Sequence, residues 1–248
     1  MASVNEILAR LNLSNRDLNN ISLSQLRTIF QDLTVKEIAT LCAVSRRFNM
    51  LCKDESFWRN KVSDDYGIYK KYGSTWRETA RNMDKVNMIN MNGVWIDGRT
   101  YRKILNDSLQ NAADPLQHGA SVVTDLQTPY LLPYAGDFKE DIHELQFELE
   151  NDDIQLQIFA NQVFDRDYTE DELNDIYYIK NKEMNVIYAT VRTYRGEQGM
   201  HLPGHTITNV IVGTCLPNYD FLLEMIDPIL YVMQFSSFSD DKLAMVNI

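Results

Sequence analysis

The chain is short of the residue types that most often announce chemistry. It has three cysteines and four histidines in 248 residues. Cys42, Cys52 and Cys215 are odd in number and irregular in spacing, so they predict no disulfide framework and point to a reducing, intracellular compartment, cytoplasmic or nuclear. No HExxH, CxxC or Gly-rich loop followed by Lys-Ser/Thr is present. His201 and His205 stand at i and i+4, but Pro203-Gly204 between them argues against the helix that metal ligation at that spacing needs. Cys215 follows Gly213-Thr214 without an evident base. Long apolar runs are missing too. Met1 to Leu18 has no apolar stretch of leader length, and Pro228 to Met233 is too short to span a bilayer. The expectation is a protein that is no enzyme and works without metal, cofactor, membrane or nucleic acid.

Positive charge is scarce in one part only. Residues 1–82 hold 13 Lys+Arg and 9 Asp+Glu, a balance of +4; residues 83–248 hold 11 and 26, a balance of -15. Within 137–175 there are 14 acidic and 2 basic residues. A field that negative repels nucleic acid and suits a basic client protein. The bland reading of the band is a set of solvated hairpin edges.

What is present divides in two. Residues 1–82 read as short capped helices. Ser22 with Gln25 and Thr34 with Glu37 are capping boxes, and Leu23, Leu26, Ile29, Phe30, Leu33 and then Ile38, Leu41, Val44, Phe48 follow at helical spacing. Asp54 can cap a helix carrying Phe57 and Trp58. Residues 83–248 read as a strand-rich mixed domain. Met91–Gly98 looks like a strand between turns, and 105–137 like surface loop. Leu145/Phe147/Leu149 against Ile154/Leu156/Ile158 predicts a hairpin, Ile176–Ile179 against Val186–Tyr194 a second, and Ile207–Cys215 a further strand before a helix over Tyr219–Ile226. The fold class expected is α+β, a small helical module at 1–82 and a mainly antiparallel sheet in 83–248.

Residues 21 to about 62 resemble an F-box. Ile21-Ser22 stands at that family's Leu-Pro, Glu37-Ile38 at Asp-Leu, Leu41 and Val44-Ser45-Arg46-Arg47-Phe48 match its second half, and Trp58 closes the motif. The continuation through Phe57–Lys61, Asp65-Tyr66-Gly67 and Ser74–Glu78 is similar to F-box-like segments in proteins of large DNA viruses of amoebae. The resemblance implies a module that docks a Skp-type subunit of cullin–RING ubiquitin ligases through Ile21, Ser22, Leu26, Ile29, Phe30, Leu33, Ile38, Leu41, Val44, Arg46, Arg47, Phe48 and Trp58. It also implies a client held elsewhere in the chain. Ser22 departs from the family's Pro, replacing a preset φ by a helix cap.

Area sharpens that expectation. A three-helix module of about 40 residues cannot hide so many large apolar side chains within itself. The surplus must meet a partner, in which case Leu26, Phe30 and Leu33 are exposed, or the rest of this chain, in which case they are covered. The second outcome favours a viral accessory or structural protein that uses the F-box fold internally. An enzyme would need a pocket gathering His201, His205 and acidic residues.

Overall fold

Helix starts in this chain are local events, and they set the architecture. The computed structural model describes residues 4–11, 13, 21–111, 119–136, 144–145, 153–194 and 227–247. It divides into two compact units, Met1–Gly93 and Val94–Ile248.

In the first unit α1 is Val4–Arg10, α2 Leu23–Gln31, α3 Val35–Val44, α4 Arg46–Cys52, α5 Glu55–Tyr66 and α6 Trp76–Lys85. The two capping boxes form. Ser22 Oγ accepts from Gln25 N at 3.2 Å while Gln25 Oε1 accepts from Ser22 N at 2.9 Å, and Thr34 and Glu37 repeat the exchange at 3.3 and 3.0 Å. Ser45 breaks the chain between α3 and α4 with extended backbone, φ -139° and ψ 132°. Gly67 ends α5 at φ +66°, and a Cβ there would lie 2.7 Å from the Asn92 amide nitrogen, so this close, left-handed turn demands glycine. The tail behind α6 packs back, with Met91 N donating to Tyr66 O at 3.0 Å.

The second unit contains α7 Tyr101–Asn111, α8 Gly119–Leu131 with a 3-10 turn at Leu132–Tyr134, α9 Asp153–Phe164, α10 Glu170–Ile179, α11 Lys182–Tyr194, α12 Ile229–Ser236 and α13 Asp240–Asn247. Helix α11 is its axis and packs on α7, α8, α12 and α13. Trp95 Nε1 and Gln127 Nε2 both donate to the Ile179 carbonyl, at 3.1 and 3.3 Å, satisfying the C-terminal end of α10.

This overturns the strand-rich, mainly antiparallel expectation for residues 83–248. No strand occurs among the described residues; the nearest approach is an isolated antiparallel bridge between Val94 and Thr100. Each error has its own cause. In α9 the alternating Ile154, Leu156, Ile158 is coincidental. Leu156, Phe159 and Ala160 are buried, while Ile154 and Ile158 remain 68% and 45% exposed, so the operative spacing is i, i+3, i+4. In α10 the buried pair is Ile176 and Ile179, with Tyr177 and Tyr178 outside. Its start carries a capping box, Thr169 with Glu172, of the type recognised in the first unit. Helix α11 buries Met184, Val186, Ile187, Ala189, Thr190, Val191, Thr193 and Tyr194; Asn185, Tyr188 and Arg192 form only a narrow half-buried face at helical spacing, which the β-branched composition of the segment outweighed. The expected loop at 105–137 contains most of α7 and all of α8. Phe147, Leu149, His201, His205, Ile207–Cys215 and Tyr219–Ile226 lie outside the described residues.

Candidate protein-docking surface

The polar turn Lys53-Asp54-Glu55-Ser56 is a junction. Asp54 caps α5, accepting from Ser56 N at 2.9 Å, Ser56 Oγ at 2.6 Å and Phe57 N at 3.4 Å. Those bonds, first the one from the Ser56 hydroxyl, hold its carboxyl below the usual range. The same carboxylate pairs with Arg27 of α2. One turn on, Trp58 Nε1 donates to the Cys52 carbonyl at 2.9 Å, closing the end of α4. Lys61 is buried; its ammonium donates to the Gln31 carbonyl at 2.6 Å and meets Asp65 at 2.9 Å. Burial raises the Asp65 pKa against that cation. Helix α5 therefore terminates both α2 and α4. Phe30 sits among Phe48 and Phe57, ring centroids 5.5 and 6.1 Å away, and Phe57 meets Trp58 edge-on at 5.2 Å.

The residues named from the sequence fall into two sets. Leu26, Phe30, Leu33, Ile38, Leu41, Phe48 and Trp58 are buried. Aromatic contacts within the first unit account for Phe30, Phe48 and Trp58 directly. The surplus of apolar surface expected of a 40-residue module is absent at these positions, because the unit extends through α6 and its tail and includes α1 against α3. Ile21 and Ile29 are half-buried, and Ser22 and Arg46 exposed. Arg47 is half-buried and its guanidinium donates to the Ile21 carbonyl, tying α4 to the entry of α2. Val44 ends α3.

What faces solvent is a different list. Leu23 is 46% exposed on the first turn of α2 and Met50 65% on α4. Ala39 and Ala43 of α3 and Arg46 and Asn49 of α4 are exposed as well. The sequence places Leu23 on the helical period with Leu26, Phe30 and Leu33, yet the F-box motif marks neither it nor Met50 as a contact. Met50 is a large apolar side chain off the period of Phe48 and Leu51, and this was the available signal. Arg10 of α1 reaches Glu37 at 2.7 Å and, by that hydrogen bond, lowers its pKa.

A family profile named F-box-like matches residues 25–63. An F-box-like domain lies there. It runs from Gln25, inside α2, through most of α5, the segment that the Asp54, Trp58 and Lys61 bonds hold together. No curated protein and no solved structure matches the chain. F-box-like domains as a class bind Skp-type partners, and a protein-interaction role follows for the domain at that coarse level.

The described acidic residues of the 137–175 band lie in helical segments or in the turn between α9 and α10, not on hairpin edges. Glu170, Asp171 and Glu172 occupy the first turn of α10, where they complement the helix dipole. Glu172 takes both Arg166 nitrogens, at 2.8 and 2.7 Å, and that pairing lowers its pKa to about 2. Among the described residues no group of three or more His, Cys, Asp or Glu gathers for a metal, and no helix is long and apolar enough to cross a membrane.

Proposed function

We propose that the chain is a non-enzymatic adaptor whose F-box-like domain docks a Skp-type subunit of a ubiquitin ligase, while the acidic second unit holds a basic client. The F-box-like match at residues 25–63 carries this reading. The docking surface is the solvent side of α2 to α4, with Leu23 and Met50 as apolar anchors and Arg46 at the rim. Leu26, Phe30 and their neighbours shape that surface from beneath. Work as an adaptor of this kind places the chain in the cytoplasm or nucleus, in a host cell if its origin is viral. The ligase chemistry belongs to other subunits, and this chain needs no cofactor.

Binding of the full chain to purified Skp-type subunit tests the reading. Association in the micromolar range or tighter is expected, weakened at least tenfold by Leu23→Asp with Met50→Asp. Both sites are exposed, so the fold should survive the changes. No association at micromolar concentration with helicity intact rejects the reading. Burial of Leu26, Phe30 and Leu33 favours the second reading, a viral accessory or structural protein that uses the F-box fold internally. That failed binding experiment would leave it standing.

A further inference from the structure

Cys42 of α3 and Cys52 at the end of α4 form a disulfide, although their spacing suggested none. Their Cα atoms are 6.3 Å apart, inside the span a cystine bridges without backbone movement. They straddle the Ser45 corner, where α3 gives way to α4. We propose that this bond is a reversible staple of the F-box-like domain, made and broken by exchange with a small thiol–disulfide pair of the glutathione class. The inference does not depend on the docking reading.

Two observations support it. The link bridges a corner between two helices, so it constrains an angle that is otherwise held by packing of side chains such as Leu41, Phe48 and Leu51. Ala43, Arg46, Asn49 and Met50, all exposed, lie on the stretch it closes, so the covalent state reaches the solvent-facing side of the domain. Both residues are buried, Cys42 at 6% and Cys52 at 1% exposure, with the Cys52 carbonyl held by Trp58. The first exchange is assigned to Cys42, the less enclosed residue. The Cys42 thiolate attacks one sulfur of oxidised glutathione, giving a mixed disulfide and one released glutathione thiolate. The Cys52 thiolate then attacks the Cys42 sulfur and displaces the second glutathione. Two electrons pass from the cysteines to glutathione, and the two thiol protons end on the two glutathione thiols. Reduction runs the same steps backwards.

The test uses the full chain carrying Cys215→Ser, equilibrated folded in glutathione buffers from reducing to oxidising, acid-quenched, alkylated and digested with trypsin. Cleavage after Lys36, Arg46, Arg47 and Lys53 leaves fragments 37–46 and 48–53 joined only through Cys42–Cys52. The joined pair should accumulate as the buffer becomes oxidising and vanish with dithiothreitol. Its midpoint should lie at least tenfold toward the reducing side of that for the same chain in urea. The oxidised form should melt about 4 °C or more above the reduced form, a gap absent when Cys42→Ala is added. Alkylation of both cysteines at the oxidising end in folded protein would overturn the proposal. So would equal midpoints folded and in urea, or a melting gap that persists without Cys42.

Discussion

Helix α2 of the first unit and helix α11 of the second are both short, yet only one can be read from its sequence. Helix α2 lies with one side on its neighbours. It buries Leu26 and Phe30, keeps Leu23, Ser24, Arg27 and Thr28 in solvent, and opens with Ser22 and Gln25 as a reciprocal cap. Helix α11 is enclosed by four other helices and buries eight of its residues. Its β-branched stretch, Val186 to Thr193, has the composition of a strand. Propensity measures what a residue favours when its neighbours do not decide, and in α11 they decide.

The comparison can be broken most directly at the core of each helix. Phe30→Ala should cost about 3–5 kcal/mol and Ile187→Ala about 2–5 kcal/mol in urea unfolding, since each leaves a cavity in a fully buried site. A loss under about 1 kcal/mol at Ile187 would mean that α11 is not the enclosed axis described. A smaller effect sharpens the point about local rules. Thr34→Ala and Thr169→Ala remove equivalent capping boxes, one in each unit, and each should cost about 1 kcal/mol. Neutrality at Thr169, with Thr34 sensitive, would show that the start of α10 is set by tertiary packing instead.

The smallest expected effect is electrostatic. The Glu172 carboxyl is lowered from its ordinary 4.5 to about 2 by Arg166 first and by the Thr169 amide next. A depressed folded-state pKa contributes stability above the unfolded value, and that share disappears as pH falls from about 4.5 toward about 2. The pair is partly open to solvent, so the contribution is modest and weakens with salt. Glu172→Gln should flatten the acid limb of a stability-versus-pH curve in that window and leave the neutral region nearly level. An unchanged acid limb would remove the Arg166–Glu172 pair as a source of the second unit's acid sensitivity.

The candidate site was legible as a segment and misread as a surface. The F-box resemblance, carried by Val44 to Phe48 and Trp58, located the segment that the family profile matches. Taking contact residues from the motif then selected mostly side chains that the first unit covers itself, and left out the exposed Leu23 and Met50. The supposed surplus rested on an assumed module of about 40 residues. Helices α1 and α6 and the tail to Gly93 belong to the same unit and enlarge what it can cover.

From the sequence alone came what depends on neighbours within a few residues: the caps at Ser22, Thr34 and Asp54 and the short helices they open. A cap is complete within one turn, so its signal survives whatever packs above it. Tertiary structure alone decided the helical state of the β-branched α11 and the sealing of Leu26 and Phe30. Each depends on how many elements crowd around a residue, and that number is set by segments distant in the chain.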